Sequence, residues 1–169
     1  KDEYHRVESV CEKGKKVIPN TIENGQINIQ QQMDSSKQEW EHLNGTIQVI
    51  IDNINNKLDQ WNDFELLRNS CMEWVKNIET NLHSIDLKSS LTEKKNEFDK
   101  LKDLQGEVRA KELEIDNVSE KAHILLRSLP NSNCKHSVNE LVQKYQQVSH
   151  KIRDLTARWQ QYFLNHQEF

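Results

Sequence analysis

Glycine and proline are scarce in this chain of 169 residues: four glycines and two prolines leave long stretches with nothing to interrupt a helix. A hydrophobic fraction of only 34%, beside 30% charged residues, argues against a deep globular core and favours long helices with narrow apolar seams. No run of eighteen apolar residues occurs, so no membrane contact is expected from this segment. The stretch KDEYHRVESV lacks the apolar centre and cleavage pattern of a signal peptide. Neither sign of charge dominates, with a net of -4 and both signs interspersed, and a nucleic-acid partner is not expected.

The motifs that carry chemistry are missing as well. There is no Gly-rich phosphate loop, H-E-x-x-H or nucleophile pattern. Cys11, Cys71 and Cys134 are odd in number and widely spaced, which fits reduced cytoplasmic thiols better than a zinc site or a disulfide framework. Cys134 and His136 make the densest pair of ligand types, in an expected loop, but no third ligand accompanies them. Glu112, Glu114 and Asp116 are expected to form a solvated face. Catalysis, a cofactor and a bound metal are therefore not expected.

What is present is periodicity. Pro19 and Pro130 each sit beside asparagine and serine and mark two loops. A weaker break lies in IDLKSSLTEKK, where Ser90 and Glu93 have the spacing of a capping box, and a helix should begin there. From there to Leu129, Phe98, Leu101, Leu104, Val108, Ile115, Val118, Ala122 and Leu125 line one face. After Pro130, from about residue 138, Val138, Leu141, Tyr145, Val148, Ile152, Leu155, Trp159 and Tyr162 alternate steps of three and four, a heptad seam. A third pattern runs from Ile29 through Met33, Trp40, Leu43, Ile47, Ile50, Ile54, Leu58 and Trp61. It continues through Phe64, Leu67, Cys71, Trp74, Ile78, Leu82 and Ile85. Along this third pattern one residue is missing from the heptad register at Leu67, which would swing the seam by roughly 100°.

The chain also repeats itself. SVCEKGKK at 9 to 16 matches NVSEKAHI at 117 to 124, setting Gly14 on Ala122, and each block is followed by Pro-Asn. Further on, setting Trp40 on Trp159 puts Ile29 on Val148 and Met33 on Ile152. One unit then reads helix A (about 62 to 86), helix B (about 90 to 129) and helix C (about 138 to the end). The end of an earlier B (1 to 18) and an earlier C (about 24 to 60) precede it. Short connections make the bundle antiparallel.

A tryptophan in helix A (CMEWV), another two thirds along helix C (KQEWEHL, LTARWQQYF), and a helix flowing from C into the next A together resemble the spectrin repeat. Ser36 departs from the pattern, standing where the later unit has Leu155. The resemblance implies an all-α fold of tandem three-helix antiparallel coiled-coil bundles joined by a continuous helix, residues 1–60 ending one repeat and 61–169 forming a second, nearly complete one. Within the superfamily the chain looks most like the rods of giant nesprins of the nuclear envelope and the LINC complex, with dystrophin-type and plakin-type rods as alternatives. A dimeric coiled-coil tether shares the heptads. The implied function is a structural rod segment that docks cytoskeletal proteins, such as formins or actin itself, on the cytoplasmic side of the outer nuclear membrane. Trp40, Trp74, Trp159, Ile152, Leu155, Ile78 and Val108 are expected in the core. Leu58, Trp61, Phe64, Leu125 and Leu129 are expected at the inter-repeat junction. Ile29, Met33, Leu43, Ile47 and Ile50 form a candidate partner-binding face, because helix C of the earlier unit would show these residues and Trp40 to solvent unless other residues, a second copy or a partner covered them.

Overall fold

A computed structural model describes residues 2–85 and 90–167. Residues 86–89 of the expected break, and the last two of the expected helix C, lie outside them. The described residues form four α-helices and a short 3-10 turn, with no strand: α1 (Asp2–Val17), the turn Ile18–Asn20, α2 (Glu23–His83), α3 (Leu91–Ser128) and α4 (Cys134–Gln167). The chain divides into two compact units, Lys1–Asn56 and Lys57–Phe169.

The first unit is a helical hairpin. Pro19 sits second in the 3-10 turn Ile18–Asn20, where its missing N–H costs nothing. Thr21 then closes the corner by donating its Oγ1 to the Val17 carbonyl at 2.8 Å. Gly14 lets α1 and α2 approach closely, because a Cβ there would stand 2.5 Å from Met33 Sδ. Cys11 and Met33 are buried in the hairpin, and the Tyr4 and Trp40 rings meet with centroids 6.4 Å apart.

The second unit is a three-helix antiparallel bundle built from the end of α2 with α3 and α4. α3 begins with the expected capping box: Ser90 Oγ accepts from the Glu93 amide at 3.2 Å, and the Ser90 amide donates to Glu93 Oε2 at 3.4 Å. The core runs through Phe64, Cys71, Val75, Ile78 and Leu82 on α2, Leu101, Val108, Ile115, Val118, Ala122 and Leu125 on α3, and Cys134, Leu141, Val148, Ile152 and Trp159 on α4. This burial corrects four expectations.

No residue is missing from the α2 register. Trp61, Phe64, Arg68, Cys71, Val75, Ile78, Leu82 and Ile85 alternate steps of three and four throughout, all buried or half-buried. The gap at Leu67 came from following leucines. The seam position belongs to Arg68, whose stem packs inward while its head reaches Glu140 on α4 at 3.4 Å. Trp74 is the second correction. Val75 is fully buried and takes the seam, while Trp74 flanks the core with the Lys111 ammonium 5.7 Å from its ring centroid.

Tyr162 is the third: it is 57% exposed, and Phe163 turns inward instead to stack on Phe98 with centroids 6.3 Å apart. The fourth is the start of α4, at Cys134 and not near 138; the Ser137 amide already bonds to the Asn133 carbonyl at 3.1 Å. Cys134 is thus a fully buried core residue of the first helical turn, not a loop ligand.

Candidate partner-binding surface

Among the described residues no group of three or more His, Cys, Asp or Glu side chains could hold a metal ion, and no helix is long and apolar enough to cross a membrane. The buried thiol of Cys71 is pushed above its ordinary 9.0 by burial; nearby Lys111 lowers it in part and Glu114 adds to the rise. A raised thiol is a poor nucleophile at neutral pH.

Of the expected core residues, Trp159, Ile152, Ile78 and Val108 are buried in the second unit, and Leu155 and Trp74 pack half-buried against that core. Trp40 is half-buried in the first unit. Among the expected junction residues, Phe64 and Leu125 are buried in the second unit's own core, with Trp61 and Leu129 packed against it. Leu58 is 54% exposed and corrects the expectation that it would pack with Leu125 and Leu129. The core begins three residues later, at Trp61.

The candidate face splits in two. Met33 is buried and Ile29 half-buried because α1 lies over them, so neither is available to a partner. Leu43, Ile47 and Ile50 are exposed, and so are Val49, Ile51 and Ile54, which the expected binding face had not included. Residues 43 to 51 carry no charged side chain. Ile54 lies on the same seam as Leu43, Ile47 and Ile50, whereas Val49 and Ile51 flank Ile50 by about 100° on either side and lie off it. Leu43, Ile47, Ile50 and Ile54 form an exposed apolar stripe along one helix face.

A second surface lies between α3 and α4, a groove of about 700 Å³. Its floor includes Val108 and Ile152, and its rim carries Arg109, Glu112, Asp116 and Arg153. These rim charges are exposed and of both signs, so the groove selects no single sign of ligand.

The spectrin-repeat family model matches residues 59–162, more than half of the chain and nearly the whole of the second bundle. The chain belongs to the spectrin-repeat family. Spectrin repeats are structural and not enzymatic domains, and they link to neighbouring repeats and mediate protein–protein contacts. The chain is also 50% identical over 168 residues to the Muscle-specific protein 300 kDa of Drosophila melanogaster. The match takes up 99% of this chain and 1% of that relative, so the chain spans a very small part of the relative's length. No solved structure matches it significantly.

Proposed function

We propose that this segment is part of the extended rod of a giant, nesprin-like linker protein, in which residues 1–60 end one spectrin repeat and 61–169 form the next. The observation that carries this reading is α2: one helix of 61 residues serves first as an arm of the α1/α2 hairpin and then as the first helix of the bundle. Tandem units that share a helix suit a part whose task is to set length and transmit tension. Membership of the spectrin-repeat family and 50% identity to a short stretch of a far longer protein support a structural rod over a dimeric tether.

Asp63→Pro tests it, because proline removes a helical hydrogen bond and clashes with the preceding turn. The expected result, in single-molecule imaging of multi-repeat fragments, is a shorter and more flexible rod; unchanged length and bending stiffness would refute the shared-helix reading. The finer assignment places the parent at the outer nuclear membrane through an anchor elsewhere, with actin or an actin regulator such as a formin docked along the rod. Co-sedimentation with actin filaments and binding to purified formin fragments test that part. Failure of both would leave a rod without this docking role.

A further inference from the structure

We infer that residues 46–51 of α2 are a self-pairing segment: once this stretch of helix unwinds, it adds edge to edge and in register to the same six residues of a second copy of the chain, and forms a short cross-β stack. This goes beyond the rod reading and does not depend on it.

The stretch reads Thr-Ile-Gln-Val-Ile-Ile, and five of its six residues are β-branched. Such side chains lose rotamer freedom in a helix and fit a pleated strand. Asn44 and Gly45, immediately before them, are poor helix formers too. The six residues include no proline, and residues 43 to 51 carry no charged side chain. High β-propensity without charge or proline is what lets identical short segments stack as a steric zipper.

The helix cannot gather this apolar surface on one side. A helical seam collects Ile47, Ile50 and Ile54, but Val49 and Ile51 stand about 100° to either side of Ile50 and cannot join it. All five are exposed. In a strand the same residues sort by a period of two. Ile47, Val49 and Ile51 then share one face, each of them β-branched and apolar, and a second sheet can close on that face without water. Thr46, Gln48 and Ile50 take the other face, where stacked copies set the Gln48 amides in a ladder. A pattern scattered around the helix is complete on the strand.

The side-chain bonds show what holds the helical form. Gln48 Nε2 donates to Asp52 Oδ1 one turn further on at 3.0 Å, a pairing that supports the helix. Thr46 Oγ1 donates to the His42 carbonyl at 2.9 Å, a bond that slightly weakens and bends it. Asp52 opposes the stack in a second way: its charge follows Ile51 directly, and an in-register stack would set like charges side by side in every copy. A strand rises about 3.3 Å per residue against about 1.5 Å for a helix, so conversion lengthens six residues by about 11 Å, and a pull along α2 favours it.

The test incubates the full 169-residue chain with agitation in urea across the onset of its unfolding. Assembly is followed by thioflavin fluorescence, the repeat of about 4.7 Å by fibre diffraction, and the protease-resistant core by mass spectrometry. That core should contain residues 46–51. Val49→Lys with Ile51→Lys, both off the helical seam, should slow assembly at least tenfold, and Asp52→Asn, which keeps every apolar residue, should shorten the lag about threefold. Leu66→Lys with Leu113→Lys, exposed apolar positions of the second unit, should leave the rate within about twofold. Absence of cross-β material at every urea concentration, a resistant core elsewhere, or assembly undiminished by the paired lysines at 49 and 51 would overturn the inference. Rod length and stiffness enter none of these readouts, so this inference and the rod reading fail separately.

Discussion

Tyr145 on α4 donates its phenolic hydroxyl to the main-chain carbonyl of Val108 on α3 at 2.9 Å. The ring fills a seam position while its polar tip is satisfied by a backbone group of the neighbouring helix. Burial holds the phenol above its ordinary 10.0, with Glu112 and Asp116 adding to the rise.

Tyr145→Phe should therefore cost about 0.5–1.5 kcal/mol in urea unfolding at pH 7. The sign of the pH effect follows from the raised folded values. Cys71 and Tyr145 both favour the protonated form on folding, so their contribution is complete below the unfolded values and declines as pH rises through about 9 and then 10. The urea midpoint should fall across that range, with Cys71→Ala flattening the lower part and Tyr145→Phe the upper.

The four tryptophans should not be equivalent. Trp159 is a buried core residue, 6% exposed, and Trp159→Ala should cost about 3–5 kcal/mol. Trp74 flanks the core, and Trp74→Ala should cost distinctly less. Chemical denaturation followed by helical circular dichroism separates the two; equal losses would contradict the flanking position.

Ser90→Ala removes the side-chain acceptor of the Glu93 amide and should destabilise the second unit by about 1 kcal/mol, with Ser90→Asp largely restoring it. Hydrogen exchange should accelerate first at the amides of the opening turn of α3.

Arg68 places a guanidinium at a seam position, and its Nε is buried without a hydrogen-bond partner among the described residues. Arg68→Met should be neutral or stabilising in urea unfolding, because it removes that desolvation while keeping the packed stem. Glu140→Ala, which leaves Arg68 without its carboxylate, should cost about 1 kcal/mol.

Much of this architecture is legible in the order of residues, and the exceptions have a shared cause. The Ser90 capping box, the two proline corners and the seams of α3 and α4 follow from local rules, because each depends on residues within one or two turns. Trp74 packs against the core from its flank and Tyr162 lies outside it, because a step of three and a step of four both keep a residue near the apolar face. Only the neighbouring helices decide between Trp74 and Val75, or between Tyr162 and Phe163. Arg68 is invisible to apolar patterning, which does not register a charged residue whose stem is the buried part. Within the candidate face, α1 covers Ile29 and Met33 but not Leu43, Ile47 or Ile50, and the extent of a neighbouring helix is not written in the pattern of the helix it covers.

Arg68 also bears on handedness. Three helices with apolar seams can close in either of two mirror-related orders, with α3 on one side of α2 or on the other, and greasy side chains alone distinguish them poorly. Here Asp63 faces Lys121 of α3 at 3.8 Å and Arg68 faces Glu140 of α4 at 3.4 Å. Exchanging the two neighbours would break both pairs and leave a half-buried cation without a carboxylate. Each pair contributes only tenths of a kcal/mol to about 1 kcal/mol, yet both act in the same direction on that choice. The charge that interrupts the apolar seam is thus the mark by which this bundle tells its left side from its right.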